Sequence, residues 1–189
     1  MTDPRPLAVR LMRLSGMRIA RVWAVVIGVW GGVMLPALAD VGVRFIEGAP
    51  KDRFELTNRS TCPLTMAQVT FDLRPSAAGL IFDVTGQGAG VDVFQPFELV
   101  VGAAAVASHS PVRDGDQELA LRIRELQPGA MVAFTVDVDD TLGPRGITVS
   151  GSEIASAVVR VDIAGISSAA TFSAQGSALV KTPACPSPP

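Results

Sequence analysis

Asp137, Asp139, Asp140 and Glu153 fall within the stretch "AFTVDVDDTLGPRGITVSGSEI", residues 133–154, which otherwise reads as two β-strands. Strands are depleted in Asp, so the acids ask for a purpose. Along an extended strand Asp137 and Asp139 share one face and Asp140 points to the other. Where the strand runs into "TLGPRG", a turn can bring two carboxylates and a carbonyl together. Calcium takes six to eight oxygens, often from loops. Asp139, Asp140 and Glu153, with Asp114 or Asp116 from "RDGDQE", make a chemically reasonable set. The spacing follows neither the EF-hand loop nor the glycine-rich nonapeptide repeat. The competing reading places Asp137 and Asp139 on the solvent face of a half-buried strand, with Asp140 opening the turn. Arg145 and Arg160 would then supply counter-charge. The sequence leaves both readings open.

Other chemistry has fewer residues to work with. Paired carboxylates could serve a hydrolase of surface polysaccharide, but such sites hold sugar rings against Trp or Tyr. The chain has no Tyr, and its two Trp, Trp23 and Trp30, lie in an N-terminal apolar run. The one His, His109 in "AVASHSPV", has no Gly-x-Ser-x-Gly elbow to work with and reads as a loop residue. "GQGAG", residues 86–90, lacks the Gly-Lys-Ser/Thr ending of a phosphate loop and reads as a glycine turn. Phe94 and Phe97, in "VFQPFEL", are the best-placed rings for ligand contact, and most other Phe fall on buried faces.

The elements that position these groups begin after a leader. Arg10, Arg13, Arg18 and Arg21 precede "VWAVVIGVWGGVMLPALAD", which ends in the small-x-small pattern Ala37-Leu38-Ala39. Residues 1–39 therefore read as a signal peptide cut before Asp40, with translation starting at Met1 or Met17. The apolar run is about long enough to span a bilayer, but Pro36 and the Ala-x-Ala site favour cleavage. No membrane anchor is expected after it. Of 18 acids and 16 bases, one acid (Asp3) and five arginines precede Asp40, leaving 17 acids against 11 bases and a net charge of −6. No basic cluster offers a footprint for nucleic acid. Two cysteines remain, Cys62 and Cys185. An exported chain with one even pair makes one disulfide, here tying down a Pro-rich tail, residues 181–189.

Hydropathy alternates with period two through "VGVRFIEG", "DRFELTN", "MAQVTFDLRP", "QELALRIREL", "AMVAFTVDVDD", "GITVSGSEI" and "SAVVRVDIAG". "AGLIFDV" is a nearly continuous apolar run, as in a strand buried on both faces. Pro96 breaks "VDVFQPFELVVG", which suggests an edge or a bulge. Asp114-Gly115 is the clearest hairpin turn. No helical periodicity occurs outside the leader. Eight to ten short strands with regular turns predict an all-β domain over residues 40–180. Its expected form is a two-sheet antiparallel β-sandwich of Greek-key or jelly-roll type.

The strings "FIEGAPKDRFELTN", "CPL", "AAGLIFDVTGQGAGVDVFQPFELV", "DGD", "FTVDVDDT" and "ITVSGSEIASAVVRV" together resemble the exported bacterial "aggregation factor core" family. That name is borrowed from calcium-dependent cell-adhesion complexes of sponges. The resemblance implies an adhesion role in the envelope or outside the cell and raises the weight of calcium as cofactor. It brings no catalytic residues. The expectation is thus an exported, non-catalytic binding β-sandwich. It would be periplasmic, cell-surface or extracellular, with a surface glycan or protein as partner. A carboxylate-pair hydrolase and a ligand-free accessory subunit are the alternatives.

Overall fold

The computed structural model describes residues 39–85, 95–142, 148–183 and 185. The leader, Phe94 and Arg145 lie outside them. The described strands are β1 (Ala39–Ile46), β2 (Asp52–Asn58), β3 (Leu64–Asp72), β4 (Ile81–Asp83), β5 (Glu98–Val101), β6 (Val106–His109), β7 (Glu118–Leu126), β8 (Met131–Asp139), β9 (Val158–Ile163), β10 (Ile166–Thr171) and β11 (Ser177–Thr182). One 3-10 turn, Ala103–Ala105, is the sole helical element among the described residues. The first sheet runs β11-β1-β2-β8-β4, with β5 also paired to β8, and the second runs β10-β9-β3-β7-β6. Every pairing is antiparallel. The chain forms a two-sheet antiparallel β-sandwich.

Alternation explains the core. In β2, Phe54 and Leu56 face inward, opposite Phe134 and Val132 of β8. The second sheet answers with Val69 and Phe71 of β3, Leu119, Leu121 and Ile123 of β7, and Val159 and Val161 of β9. At the centre Phe54 stacks on Phe134 with centroids 5.0 Å apart. Its edge contacts reach Phe45 at 5.1 Å and Phe71 at 5.5 Å. Such ring pairs add about 0.5–1.5 kcal/mol beyond the area they bury.

Cys62, in the loop between β2 and β3, is bridged to Cys185 beyond β11, 123 residues away. Asn58 braces this loop from inside. Its amide nitrogen donates to the carbonyls of Cys62 and Leu126, and its amide oxygen accepts from the N–H and hydroxyl of Ser60.

Two expectations change and a third gains a role. The stretch at 148–157 is a run of turns rather than a strand, because Glu153 gathers the backbone around Ser150. Strand β11 carries residues 181 and 182, which were expected in the tail, and Lys181 pairs in register with Asp40. The turn at Asp114-Gly115 does join β6 to β7, with Gly115 at φ 79°, but it also reaches the other sheet. Phe82 donates its N–H to the Asp116 carbonyl at 2.8 Å and accepts from the Gly115 N–H at 2.9 Å. The turn thereby covers the edge of β4 that faces away from β8.

Candidate functional site

The acids of β8 meet others at one end of the first sheet. Asp137 lies directly opposite Asp83 of β4, and Asp139 opposite Ile81. Opposed residues of an antiparallel pair point to the same face, so Asp83, Asp137 and Asp139 share the outer face of the sheet. That face is covered here: Asp83 is 0% and Asp137 8% exposed. Burial pushes the Asp137 carboxyl up to about 6. The Asp139 charge adds to the rise, and a backbone hydrogen bond with Val138 opposes it.

A fourth acid approaches from β2. Asp52 opens that strand opposite Val136, where the β2–β8 ladder stops. Its carboxylate takes over from the ladder. One oxygen accepts the Val138 N–H at 3.2 Å, and the other accepts the Gly48 N–H at 3.0 Å across the β1–β2 loop. Only 1% of the residue is exposed. Burial pushes its pKa up to about 8, and the charges of Asp137 and Asp139 push the same way against the two N–H donors. At neutral pH Asp52 therefore holds a proton. Its position was readable in "DRFELTN", where Asp52 falls on the parity of Phe54 and Leu56. Asp83 was readable as an acid inside the apolar run "LIFDV".

The five acids expected to hold calcium lie on three segments: the end of β8, the turns at 148–157 and the turn before β7. Asp140 is 5% exposed and sits past the end of β8. The N–H groups of Thr141 and Leu142 after it donate to the Ala78 carbonyl. The Glu153 carboxylate accepts both the N–H and the hydroxyl of Ser150, at 2.6 and 2.7 Å, within its own turn. The Asp116 carboxylate accepts the Arg113 N–H at 2.7 Å, in the same turn as Asp114. Among the described residues no three acidic, His or Cys side chains form a group that could hold a metal ion. Arg160 lends its charge to Asp72. Asp72 is held below the usual carboxylate range chiefly by the Arg74 guanidinium, which donates to both its oxygens.

The remaining candidates pack together. Phe97 is half-buried, 5.1 Å from Phe134 on one side and 4.4 Å from the His109 ring on the other. Its ring is therefore partly taken up by the protein's own rings. His109 is exposed on β6, and its Nδ1 donates to the Ser110 carbonyl at 2.7 Å.

No protein-family model and no curated protein matches the sequence. Among solved structures the chain is similar to a biomass-sensing module from an Rsgi-like protein of Clostridium thermocellum, a module said to resemble the family 3 carbohydrate-binding module of the cellulosome. The two share 14% identity over 70% of this chain and 96% of that one, with a TM-score of 0.31. Among the described residues no helix is long and apolar enough to cross a membrane.

Proposed function

We propose that this chain is an exported binding module of adhesion type, acting at the cell surface or in the envelope on a surface glycan or protein. One observation carries the reading: a disulfide bridges 123 residues of a two-sheet sandwich. Structural disulfides of this kind form and persist in oxidising compartments outside the cytosol. The resemblance to the aggregation factor core family supports the adhesion part. The hydrolase alternative draws less support, because Asp52, whose pKa is the most raised, is sealed from solvent with both oxygens engaged by backbone.

Calcium dependence belongs to the proposal, and the acids of β8 are what would draw the cation. Asp137 and Asp139 repel each other, and both raise the pKa of Asp52. A cation drawn to this end of the sheet would relieve that repulsion. Binding to the folded state alone stabilises by about 2.7 kcal/mol at a hundredfold excess over Kd, a melting shift of roughly 5–10 °C. The test has two arms. Beads coated with the exported protein should retain cells of the producing bacterium, and calcium should raise the melting temperature. Failure of the beads to retain cells at any calcium concentration would remove the adhesion reading. A melt indifferent to millimolar calcium would remove the calcium reading alone.

A further inference from the structure

Away from the acidic end, a groove of about 530 Å³ is lined by β1, β11, the end of β10 and Arg59. Strands β10 and β11 are edge strands of the two sheets and lie against each other, so the groove follows the seam between the sheets. Ligand pockets commonly run from about 300 to 1,000 Å³.

Two arginines of this acidic protein line it. Arg44 and Arg59 are both exposed, and among the described residues neither has an acid within ion-pair distance. Glu55, directly opposite Arg44 on β2, is already paired with Arg53 at 2.9 Å. Asp40, on the same face of β1, lies opposite Lys181.

Arg59 is held in place. Its N–H donates to the Asp40 carbonyl at 2.8 Å, and its neighbours in the loop are fixed by the Asn58 brace and the disulfide. Its side chain lies flat over Gly42: a Cβ there would sit 2.5 Å from the Arg59 Nε and 3.1 Å from its Cζ. The missing side chain of Gly42 is what lets the guanidinium rest on β1. Arg44 follows two residues later on the same face, about 7 Å along the strand. Ser177 lies opposite Arg44 and the half-exposed Leu179 opposite Gly42, while Thr171 adds a second hydroxyl.

We infer that this groove binds the carboxylate groups of an acidic polysaccharide. Two guanidinium forks receive carboxylates, the hydroxyls of Ser177 and Thr171 meet sugar hydroxyls, and Leu179 supports the apolar side of a ring. The lining has no aromatic ring on which a neutral sugar could stack, so charge supplies the affinity. This rests on the binding reading above and names the chemistry of its partner.

The test is retention of the exported protein on polygalacturonate in affinity electrophoresis at low salt. Neutral dextran, dextran sulfate and poly-glutamate serve as comparison matrices. Retention on polygalacturonate but not on dextran is expected. Arg44→Ala and Arg59→Ala should each weaken it about tenfold, the loss of one charge-assisted hydrogen-bonding group. Gly42→Ala should weaken it comparably while keeping both charges, because the added Cβ displaces Arg59. Arg122→Ala, on the outer face of the other sheet, should leave it unchanged. Three results would overturn the inference: no retention on polygalacturonate, equal weakening by Arg122→Ala, or equal retention on poly-glutamate or dextran sulfate. Cell-binding beads that work while polygalacturonate fails would leave the adhesion reading standing and remove only this one.

Discussion

A carboxyl group that keeps its proton in the folded chain and loses it in the unfolded one makes stability fall as pH rises. Asp52 is such a group, with its pKa raised from 3.8 to about 8. Between those values the folded state holds one more proton than the unfolded state. The stability contribution is whole below about pH 4 and is lost as pH climbs through 8, with a slope approaching about 1.4 kcal/mol per pH unit. Asp137, raised to about 6, acts in the same direction over pH 4 to 6. Asp72 acts oppositely: its lowered pKa gives stability that is present above about pH 4 and lost as pH falls. In the window from pH 7 to 8.5 Asp52 dominates, because Asp72 is ionised there in both states and Asp137, raised only to about 6, is mostly ionised. Wild-type protein should melt at progressively lower temperature across this window, and Asp52→Asn should flatten the curve. An unchanged slope in Asp52→Asn would show that Asp52 is already ionised. Calcium competes with the same protons, so its melting shift should be larger at pH 8.5 than at pH 6.

At the scale of elements, alternation located most strands and failed where side chains compete with the ladder. The faces of β8 follow from parity: Val132, Phe134, Val136 and Val138 are buried inward, with Asp137 and Asp139 outward. Val149 and Ile154 fill the core from a turn, although they fall on opposite parities of an extended chain. Ser150 and Glu153 hold that turn by local hydrogen bonds, which rival secondary structure, and periodicity cannot register such bonds. Strand β11 escaped notice because only Ala178 and Val180 mark its inner face. The pairing of Asp83 with Asp137 was missed for another reason, since a strand's pattern gives its faces but not its neighbour. Glu153 clasps its own turn through the N–H and hydroxyl of Ser150. Glu153→Ala should cost about 1–2 kcal/mol, as expected for charge-assisted hydrogen bonds in a half-buried turn. It should leave any calcium shift intact, whereas Asp137→Asn should abolish it. Melts of the two variants with and without calcium decide the assignment, and loss of the shift in Glu153→Ala would restore Glu153 as a ligand.

For the whole molecule the disulfide bears on how the sandwich holds its edge strand β11. Strand β11 is an edge strand whose ladder partner among the described residues is β1, and inward it offers only Ala178 and Val180. The bridge beyond it anchors the chain to the β2–β3 loop, which itself carries Arg59. Closing a loop of 123 residues is worth up to about 5 kcal/mol in the chain-entropy model, and measured values usually fall short. Replacing both cysteines with Ser should thus lower the melting temperature by about 10 °C. A purely unfolded-state effect would weaken hydrogen-exchange protection equally in all strands that open globally. If the bridge also clamps the edge, β11 and β1 should lose far more protection than β7, because local opening becomes cheaper than global opening there. Exchange measured strand by strand at a fixed small denaturant concentration separates the two. Uniform loss would mean that the bridge acts through the unfolded chain alone. Selective fraying of β11 should also weaken polygalacturonate retention, because Ser177 and Leu179 form one wall of the groove and the loosened loop frees Arg59 from Gly42.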